Sequence, residues 1–302
     1  MAWRLTDSLD VFLDAAGDHL RSDPVRHTVP LTVLETLRLG GMSAFGDSPP
    51  VFGWHQPADG PVDGAAVQTP PFPLLLAGLP AESAGSLLDL LAGAGRSPGA
   101  VNATGQDEAR FLDAWRAARG GSGTAQLRTR LFRLGVLVPP EPVPPGAARV
   151  AGQIDRDLLV DWHLAFGRET HGVVLEDAER SVTDRLSHHG LMLWEAAGEP
   201  VAMAGLTRDV GGVVRVGAIY TPPRHRRRGY GGAVTAAVSQ AALDAGAAEV
   251  VLFTDLANPT SNALYRRLGY QPVEDRVVLN LSASNVGQPA VTGGHGASSS
   301  VS

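Results

Sequence analysis

The chain has 302 residues, 44% of them hydrophobic and 19% charged, with a formal net charge of -6. This length favours two domains with packed cores rather than one. The absence of cysteine and lysine excludes disulfides, thiolate nucleophiles, Cys-ligated metals, Schiff-base chemistry and a P-loop. Apart from one short cluster, the arginines are spread along the chain, so no nucleic-acid partner is predicted.

Targeting and metal signals are also missing from the sequence. The segment up to Leu20 has no apolar run of signal-peptide length, and no stretch approaches the roughly 18 apolar residues of a membrane-spanning helix. We therefore expect a cytoplasmic protein without membrane contact. His188 and His189 have no companion ligands at metal-binding spacing, so no metal is predicted.

The N-terminal half shows alternating helical and extended patterns, with many Gly and Pro residues blurring the boundaries over 46–80. Its predicted helices lie over 9–20, 31–39, 82–92 and 107–119. The predicted extended segments lie over 51–55, 65–69 and 100–103, followed by a strand pair around 126–138.

A proline-rich segment separates the two halves. Five prolines fall within 139–145 and Gly146 follows, a run that forms a stiff extended spacer. We therefore expect an N-terminal α/β domain over 1–138, a linker over 139–149 and a second domain over 150–282. Residues 283–302 are mostly small and polar, which predicts a disordered tail.

The C-terminal half gives clearer periodicity. Two helices are predicted over 155–169 and 175–186, and an antiparallel meander follows over 191–196, 201–208 and 213–221. The remaining predicted elements are a helix over 229–245, a strand over 250–254, a helix over 259–268 and a strand over 273–281.

A basic, glycine-rich turn leads from the last strand of the meander into a helix. Glycines allow close backbone approach to an anion, a helix N-terminus offers free amides, and arginines add charge-assisted hydrogen bonds. A Rossmann fingerprint would need glycine at Val234, and a P-loop would need lysine, so both templates fail. The remaining pattern is Arg/Gln-x-x-Gly-x-Gly/Ala, filled by Arg226, Gly229 and Gly231.

A second motif, over 258–270, follows the turn after one predicted helix and one predicted strand. It reads Asn-x-x-Ser-x-x-Leu-Tyr-x-x-x-Gly-Tyr, with Asn258 first and Tyr270 last. With the turn, it resembles the GNAT acetyltransferase superfamily, whose corresponding segment has Ala where Ser261 stands and Phe where Tyr270 stands.

The resemblance implies a mixed α/β fold, with the GNAT acyl-CoA N-acyltransferase fold in the C-terminal half. The N-terminal half loosely repeats the same element order and would be a degenerate, non-catalytic GNAT-like copy. No equivalent turn precedes its helices, and the slot of the tyrosine motif holds Phe111 to Trp115 instead.

The resemblance also implies an activity, in which acetyl passes from acetyl-CoA to a primary amine of a small molecule or peptide. Tyr265 would be the general acid that protonates the departing CoA thiolate. Asn258 would contact pantetheine, although an Asn before Pro is equally a helix N-cap. The residues implied to contact CoA are Ile219, Tyr220 and Thr221 on the strand, Arg226, Arg227, Arg228, Gly229, Tyr230, Gly231 and Gly232 in the turn, and Asn258.

The general base has no comparable motif. Asp255 follows a predicted strand at its C-terminal end, where α/β sites collect, and is our candidate, although it could equally cap the next turn. Glu195, Glu199, Asp209 and His225 lie near the same end, and a chain of water molecules could remove the proton instead.

Three questions stay open from the sequence. The enzyme could use another acyl group of CoA or a hydroxyl acceptor. The domain could sense acyl-CoA without turning it over, although the presence of Tyr265 beside an intact turn argues for catalysis. The protein could also be a monomer or a homodimer, because tandem halves can supply contacts that single-domain relatives make by dimerising.

Overall fold

The computed structural model describes residues 2–171 and 178–283. The first helix of the N-terminal half begins at a local signal, where the Ser8 hydroxyl accepts a hydrogen bond from the Val11 amide. The elements of this half are β1 (Ala2–Thr6), α1 (Leu9–Ser22), α2 (Thr28–Gly40), β2 (Val51–Gln56), β3 (Gly64–Gln68), β4 (Leu74–Ala77), α3 (Ala84–Gly93), β5 (Ala100–Thr104), α4 (Glu108–Arg119) and β6 (Ser122–Leu134).

The C-terminal half repeats this order of elements and adds two short 3-10 helices, Gln153–Asp155 and Pro223–His225. None of the described helices is long and apolar enough to cross a membrane. The elements of this half are β7 (Ala147–Val150), α5 (Arg156–His171), α6 (Ala178–Ser187), β8 (Leu191–Ala196), β9 (Glu199–Leu206), β10 (Val213–Tyr220), α7 (Tyr230–Asp244), β11 (Glu249–Asp255), α8 (Pro259–Arg267) and β12 (Tyr270–Ser282).

The described strands form one twelve-stranded sheet in the order β1-β2-β3-β4-β5-β12-β6-β11-β10-β9-β8-β7. Neighbouring strands are antiparallel except for two parallel pairs, β4 with β5 and β10 with β11. The order is symmetric about its centre, since β1 to β5 correspond to β7 to β11. The chain therefore consists of two structural repeats.

The two repeats exchange their last strands at the centre of the sheet. β12 pairs with β5 of the N-terminal half, and β6 pairs with β11 of the C-terminal half. The two exchanged strands also pair with each other from Tyr270 opposite Leu134 to Ser282 opposite Ser122. Each half of the sheet is thus completed by a strand of the other half.

Helices cover both faces of the sheet. Phe52 packs with α1 and α2, whereas its neighbour Val51 packs with α3 and α4, as expected for side chains that alternate along a strand. In the C-terminal half, Leu193 faces α5 and α6, and Trp194 faces α7. The result is a three-layer α/β/α arrangement with buried cores on both faces.

Most predicted elements are confirmed, with three omissions and one error. The prediction omitted β1, β4 and β7. Of these, β7 occupies Ala147–Val150, at the end of the predicted linker. The predicted strand pair around 126–138 is wrong, because Ser122–Leu134 is one long strand with partners on both sides. The division at 139–149 stays a prediction. The start of the helix predicted over 175–186 and nearly all of the predicted tail lie outside the described residues.

Candidate functional site

A cleft opens where the parallel strands β10 and β11 separate. Their register pairs end at Val216 and Leu252. Beyond that point, β10 bulges between Gly217 and Tyr220, and Ala218 adopts a positive φ of 49°. Because the strands diverge, β11 does not use the backbone groups of this bulged segment, which leaves them available to a bound molecule.

The turn after β10 forms one wall of this cleft. Gly229 precedes α7 with a φ of 85°, in the left-handed region that favours glycine. The N-cap residue Gly229 has no side chain that could cap α7, so among the described residues the first amides of this helix remain available to an anion. A Cβ on Gly232 would lie 3.1 Å from Leu264 Cδ1, which shows how closely α7 and α8 approach here.

The cleft has a volume of about 840 Å³, within the range of roughly 300–1,000 Å³ typical of small-molecule sites. Every residue predicted from the sequence to contact CoA lines it, as does Tyr265. Asp255 is the one predicted site residue that does not. The fold therefore brings together two motifs that the chain separates by a helix and a strand.

Tyr265 projects from α8 into the cleft and is 6% exposed. Burial raises the pKa of its hydroxyl to about 12, partly offset by a hydrogen bond with Ser261. Its ring packs edge-on against Tyr270 at a centroid distance of 6.1 Å. The hydroxyl is thus held in place and remains protonated at neutral pH, as a proton donor must.

The Arg226 side chain points from the glycine-rich turn toward α5. Its Nε donates to the Thr221 carbonyl at 2.9 Å, and its guanidinium lies 5.9 Å from the centre of the Tyr220 ring. A second guanidinium nitrogen forms an ion pair with Glu169. Arg226 is therefore positioned by the cleft wall, with its charge at the cleft mouth.

Glu169 is a cleft residue that the sequence reasoning missed. It lies at the end of α5, and its carboxylate also accepts a hydrogen bond from the Tyr220 hydroxyl at 3.2 Å. No local pattern signals this role, because its partners Tyr220 and Arg226 are 51 and 57 residues away in the chain. It supplies a carboxylate at the cleft, whereas the carboxylates weighed from the sequence do not line it.

Asn258 and Asp255 act on the backbone of their own loop. The Asn258 side chain accepts a hydrogen bond from the Ser261 amide at 3.0 Å, which is the expected N-cap of α8. The Asp255 carboxylate accepts from the Ala257 amide at 2.8 Å. Asn258 combines this cap with a place on the cleft wall, whereas Asp255 only shapes the turn in this structure.

His225 lies under the turn. Burial lowers its pKa, helped by the neighbouring Arg224 and Arg228, so the ring is neutral at pH 7. Its Nε2 accepts a hydrogen bond from Arg224 Nε at 2.9 Å, and its buried Nδ1 has no partner among the described residues. The ring thus supports the turn.

The proline-rich segment forms part of the site. Pro140 and Pro142 line the cleft, and the buried Pro144 lies 3.6 Å from where a Cβ of Gly229 would stand. The segment expected to be a spacer between domains is thus also a wall beside the glycine turn.

The corresponding position in the N-terminal half is closed by an arginine. β4 and β5 are paired only at Leu74–Val101 and Leu75–Asn102 before they diverge. Arg276 of β12 fills the gap, donating to the Leu76 and Asn102 carbonyls at 2.9 and 3.3 Å. This buried side chain takes the backbone acceptors that remain free in the other half.

A cavity of about 980 Å³ lies beside this closed gap, with a lining unsuited to a phosphate. Three arginines, Arg26, Arg130 and Arg276, are outnumbered by Asp63, Asp107, Glu274 and Asp275. Arg130 and Asp275 are also paired with each other at 2.6 Å. The N-terminal cleft therefore lacks both the turn and the positive charge of the C-terminal one.

The family comparison agrees with this geometry. The model of the Acetyltransferase (GNAT) family matches residues 156–270, a range that includes both the turn and Tyr265. Residues 156–270 form a GNAT acetyltransferase domain. The protein is thus an acyltransferase, and its GNAT domain lies in the C-terminal repeat. No curated protein matches the chain.

Solved structures extend the GNAT likeness to both repeats. A GNAT-family acetyltransferase from Colwellia psychrerythraea shares 12% identity with a TM-score of 0.58, covering 92% of this chain and 98% of its own. A GCN5-related N-acetyltransferase from Sphaerobacter thermophilus shares 15% identity with a TM-score of 0.58, covering 93% of this chain and 95% of its own. A GCN5-related N-acetyltransferase from Kribbella flavida shares 22% identity with a TM-score of 0.50, covering 72% of this chain and 85% of its own. At these identities the likeness concerns the fold, and it supports the tandem arrangement.

Proposed function

We propose that the protein transfers the acetyl group of acetyl-CoA to a primary amine of a small molecule or peptide. The observation that carries this proposal is the shared cleft, where an uncapped helix N-terminus, a basic glycine turn and the buried hydroxyl of Tyr265 line one cavity. Because acetyl-CoA is an intracellular metabolite, the proposal places the protein in the cytoplasm.

The cleft offers each part of CoA a complementary surface. The turn from Arg226 to Gly231 holds the pyrophosphate through backbone amides and guanidinium groups, with Gly232 allowing close approach. The backbone groups of Ile219 to Thr221 that β11 does not use hydrogen-bond the pantetheine amides, assisted by Asn258. Acetyl-CoA then displaces Glu169 from Arg226, because pyrophosphate competes for the same guanidinium.

The chemistry needs no covalent intermediate on the protein. The neutral amine attacks the thioester carbonyl, the new C–N bond forms, and the C–S bond breaks. Tyr265 gives its proton to the departing sulfur, and the proton lost by the amine passes through a base or water and restores the Tyr265 phenol. The raised pKa of Tyr265 keeps its proton in place until negative charge develops on the sulfur.

Two carboxylates compete for the role of base. Asp255 stays a prediction, since its carboxylate is bonded to the Ala257 amide and lies outside the cleft lining. Glu169 is the second candidate, since it lines the cleft and becomes free once Arg226 turns to a phosphate. Comparing Glu169→Gln with Asp255→Asn separates the two.

We propose a structural role for the N-terminal repeat. Its cleft is filled by Arg276, and its surface near the gap has more acid than base. It contributes β6 to the catalytic repeat and so completes the sheet next to β11.

The test is acetyl transfer measured by mass spectrometry with acetyl-CoA and a panel of primary amines. The wild type is expected to acetylate at least one amine class, and Glu169→Gln to be slower by about 10²-fold, the typical value of a general base. Binding of acetyl-CoA without transfer to any amine would instead identify a sensor. An Asp255→Asn variant as slow as Glu169→Gln would return the base to Asp255.

A further inference from the structure

A second cavity lies between the two repeats, away from the catalytic cleft. It has a volume of about 320 Å³ and is enclosed by α2 of the N-terminal repeat and by α6, β9 and β10 of the C-terminal repeat. It shares no lining residue with the cleft. Nothing in the acyl-transfer chemistry accounts for it.

The lining of this cavity carries excess positive charge. The excess comes from Arg185 and Arg215, whereas the two lining carboxylates are Glu35 and Asp184. Glu35 is bonded to Arg38, which is not part of the lining, and Asp184 is bonded to Arg208 at 2.8 Å. The carboxylates are therefore already engaged, and Arg185 and Arg215 form no ion pair with any described residue.

Hydroxyl groups are the main partners of these two arginines. Arg215 donates to Thr28 and Thr32 of α2 at 3.2 and 3.0 Å, and Arg185 donates to Ser181 at 3.1 Å. A guanidinium has five N–H donors, so each side chain keeps donors to spare. A planar oxyanion is the group that guanidinium forks bind best.

The two arginines, Arg185 and Arg215, also repel each other electrostatically in a buried environment. Burial lowers the pKa of both, and the charge of Arg185 further lowers the pKa of Arg215, to about 10. Asp184 offsets this only in part for Arg185. Uncompensated buried charge is destabilising, and an anion bound between the guanidiniums would remove that cost.

Apolar side chains form another part of the lining. Val33, Phe45, Phe72, Leu206 and Val210 line the cavity, and the rings of Phe45 and Phe72 pack edge to face at 5.8 Å. A fully hydrated inorganic anion gains nothing from such walls, whereas a carboxylate with an apolar body does.

We propose that this cavity binds a small organic carboxylate, with its carboxylate held by Arg185 and Arg215 and its apolar body against Phe45 and Phe72. The ligand would contact both repeats, since α2 belongs to one and the two arginines to the other. The proposal is independent of the acyl-transfer function.

The experiment titrates the full chain with benzoate, benzamide and inorganic phosphate while following the melting temperature and the heat of binding. Benzoate is expected to raise the melting temperature in a saturable way, and benzamide, which lacks the charge, to have no effect. An equal response to phosphate, or none to benzoate, would overturn the proposal. These arms need only the wild-type protein.

Variants locate the site. In Arg215→Met and Arg185→Met, the dissociation constant for benzoate should rise by roughly tenfold or more, the loss of one charge-assisted pair. Arg116→Met, which removes an exposed arginine of α4, is the matched control and should bind benzoate as the wild type does. Unchanged benzoate binding in both cavity variants would contradict the proposed location, and unchanged acetyl-CoA binding in all variants would show that the two sites are separate.

Discussion

At the scale of residues, the site depends on burial in a way that composition does not reveal. Tyr265 could be recognised from its motif, but its raised pKa follows from its position between α8 and the core. Glu169, in contrast, could not be recognised from the sequence. Its role depends on Tyr220 and Arg226, which only folding brings next to it.

Replacing Tyr265 by Phe removes the proposed proton donor and retains the ring. We expect kcat for acetyl transfer to fall by about 10²-fold, the usual contribution of a general acid, with the KM for acetyl-CoA nearly unchanged. Steady-state release of CoA thiol measures both constants.

Tyr270→Phe is the matched control. Tyr270 packs against Tyr265, and its hydroxyl bonds the buried Ser239 at 2.6 Å. Its loss should cost about 1 kcal/mol of stability without lowering kcat. A Tyr265→Phe enzyme as fast as this control would show that Tyr265 is not the acid.

The buried His163 is expected to make the free energy of unfolding depend on pH. It is 5% exposed, and burial lowers its pKa to about 4 from an ordinary 6.5. Below pH 6.5 the unfolded chain takes up a proton that the folded chain refuses, so the free energy of unfolding should fall as pH drops toward 4, by about 3 kcal/mol at most.

Chemical denaturation at pH 7.5 and pH 5 checks this expectation. Burial also lowers the pKa of His27 and His188. The informative quantity is therefore the loss of unfolding free energy between the two pH values in the wild type compared with the loss in His163→Gln. The variant should lose less stability between the two pH values. Identical losses in both proteins would mean that His163 does not carry the effect.

At the scale of elements, local signals predicted most of the C-terminal repeat. β8 has the predicted bounds, because turn residues on each side delimit it. β4, Leu74–Ala77, was missed since four consecutive apolar residues show no period. The glycine turn was found because its geometry is local, as the φ of 85° at Gly229 demonstrates.

Gly229→Ala tests this turn. A side chain in the left-handed region should cost about 1 kcal/mol of stability and distort the amides of α7, weakening acetyl-CoA binding by several-fold. Gly85→Ala in α3 is the control, because it has open space and no positive φ, and alanine there should be neutral or stabilising. Equal acetyl-CoA affinities in both variants would contradict the role of the turn.

At the scale of the whole molecule, the sequence predicted two halves but not how they interlock. Strand patterns predicted β12 and an extended region at β6, yet the partners of both strands lie more than a hundred residues away, and pairing at that distance leaves no local trace. The exchange makes each repeat depend on the other for its sheet.

The exchanged strands predict cooperative unfolding. Calorimetry and circular dichroism should show one transition for the full chain, because neither repeat keeps a complete sheet alone. A fragment spanning 139–302 lacks β6 and is expected not to bind acetyl-CoA, whereas adding a fragment of 1–138 should restore binding. Two separate transitions, or an active isolated C-terminal fragment, would contradict this interdependence.

The central claim is that the cleft beside the glycine turn is a CoA site, and isothermal titration with acetyl-CoA tests it most directly. The wild type should bind with a dissociation constant in the micromolar range. Gly231→Glu, which places a carboxylate beside Thr221 where the pyrophosphate would sit, should fold but not bind. Absence of binding by the wild type, or equal binding by the variant, would contradict the account.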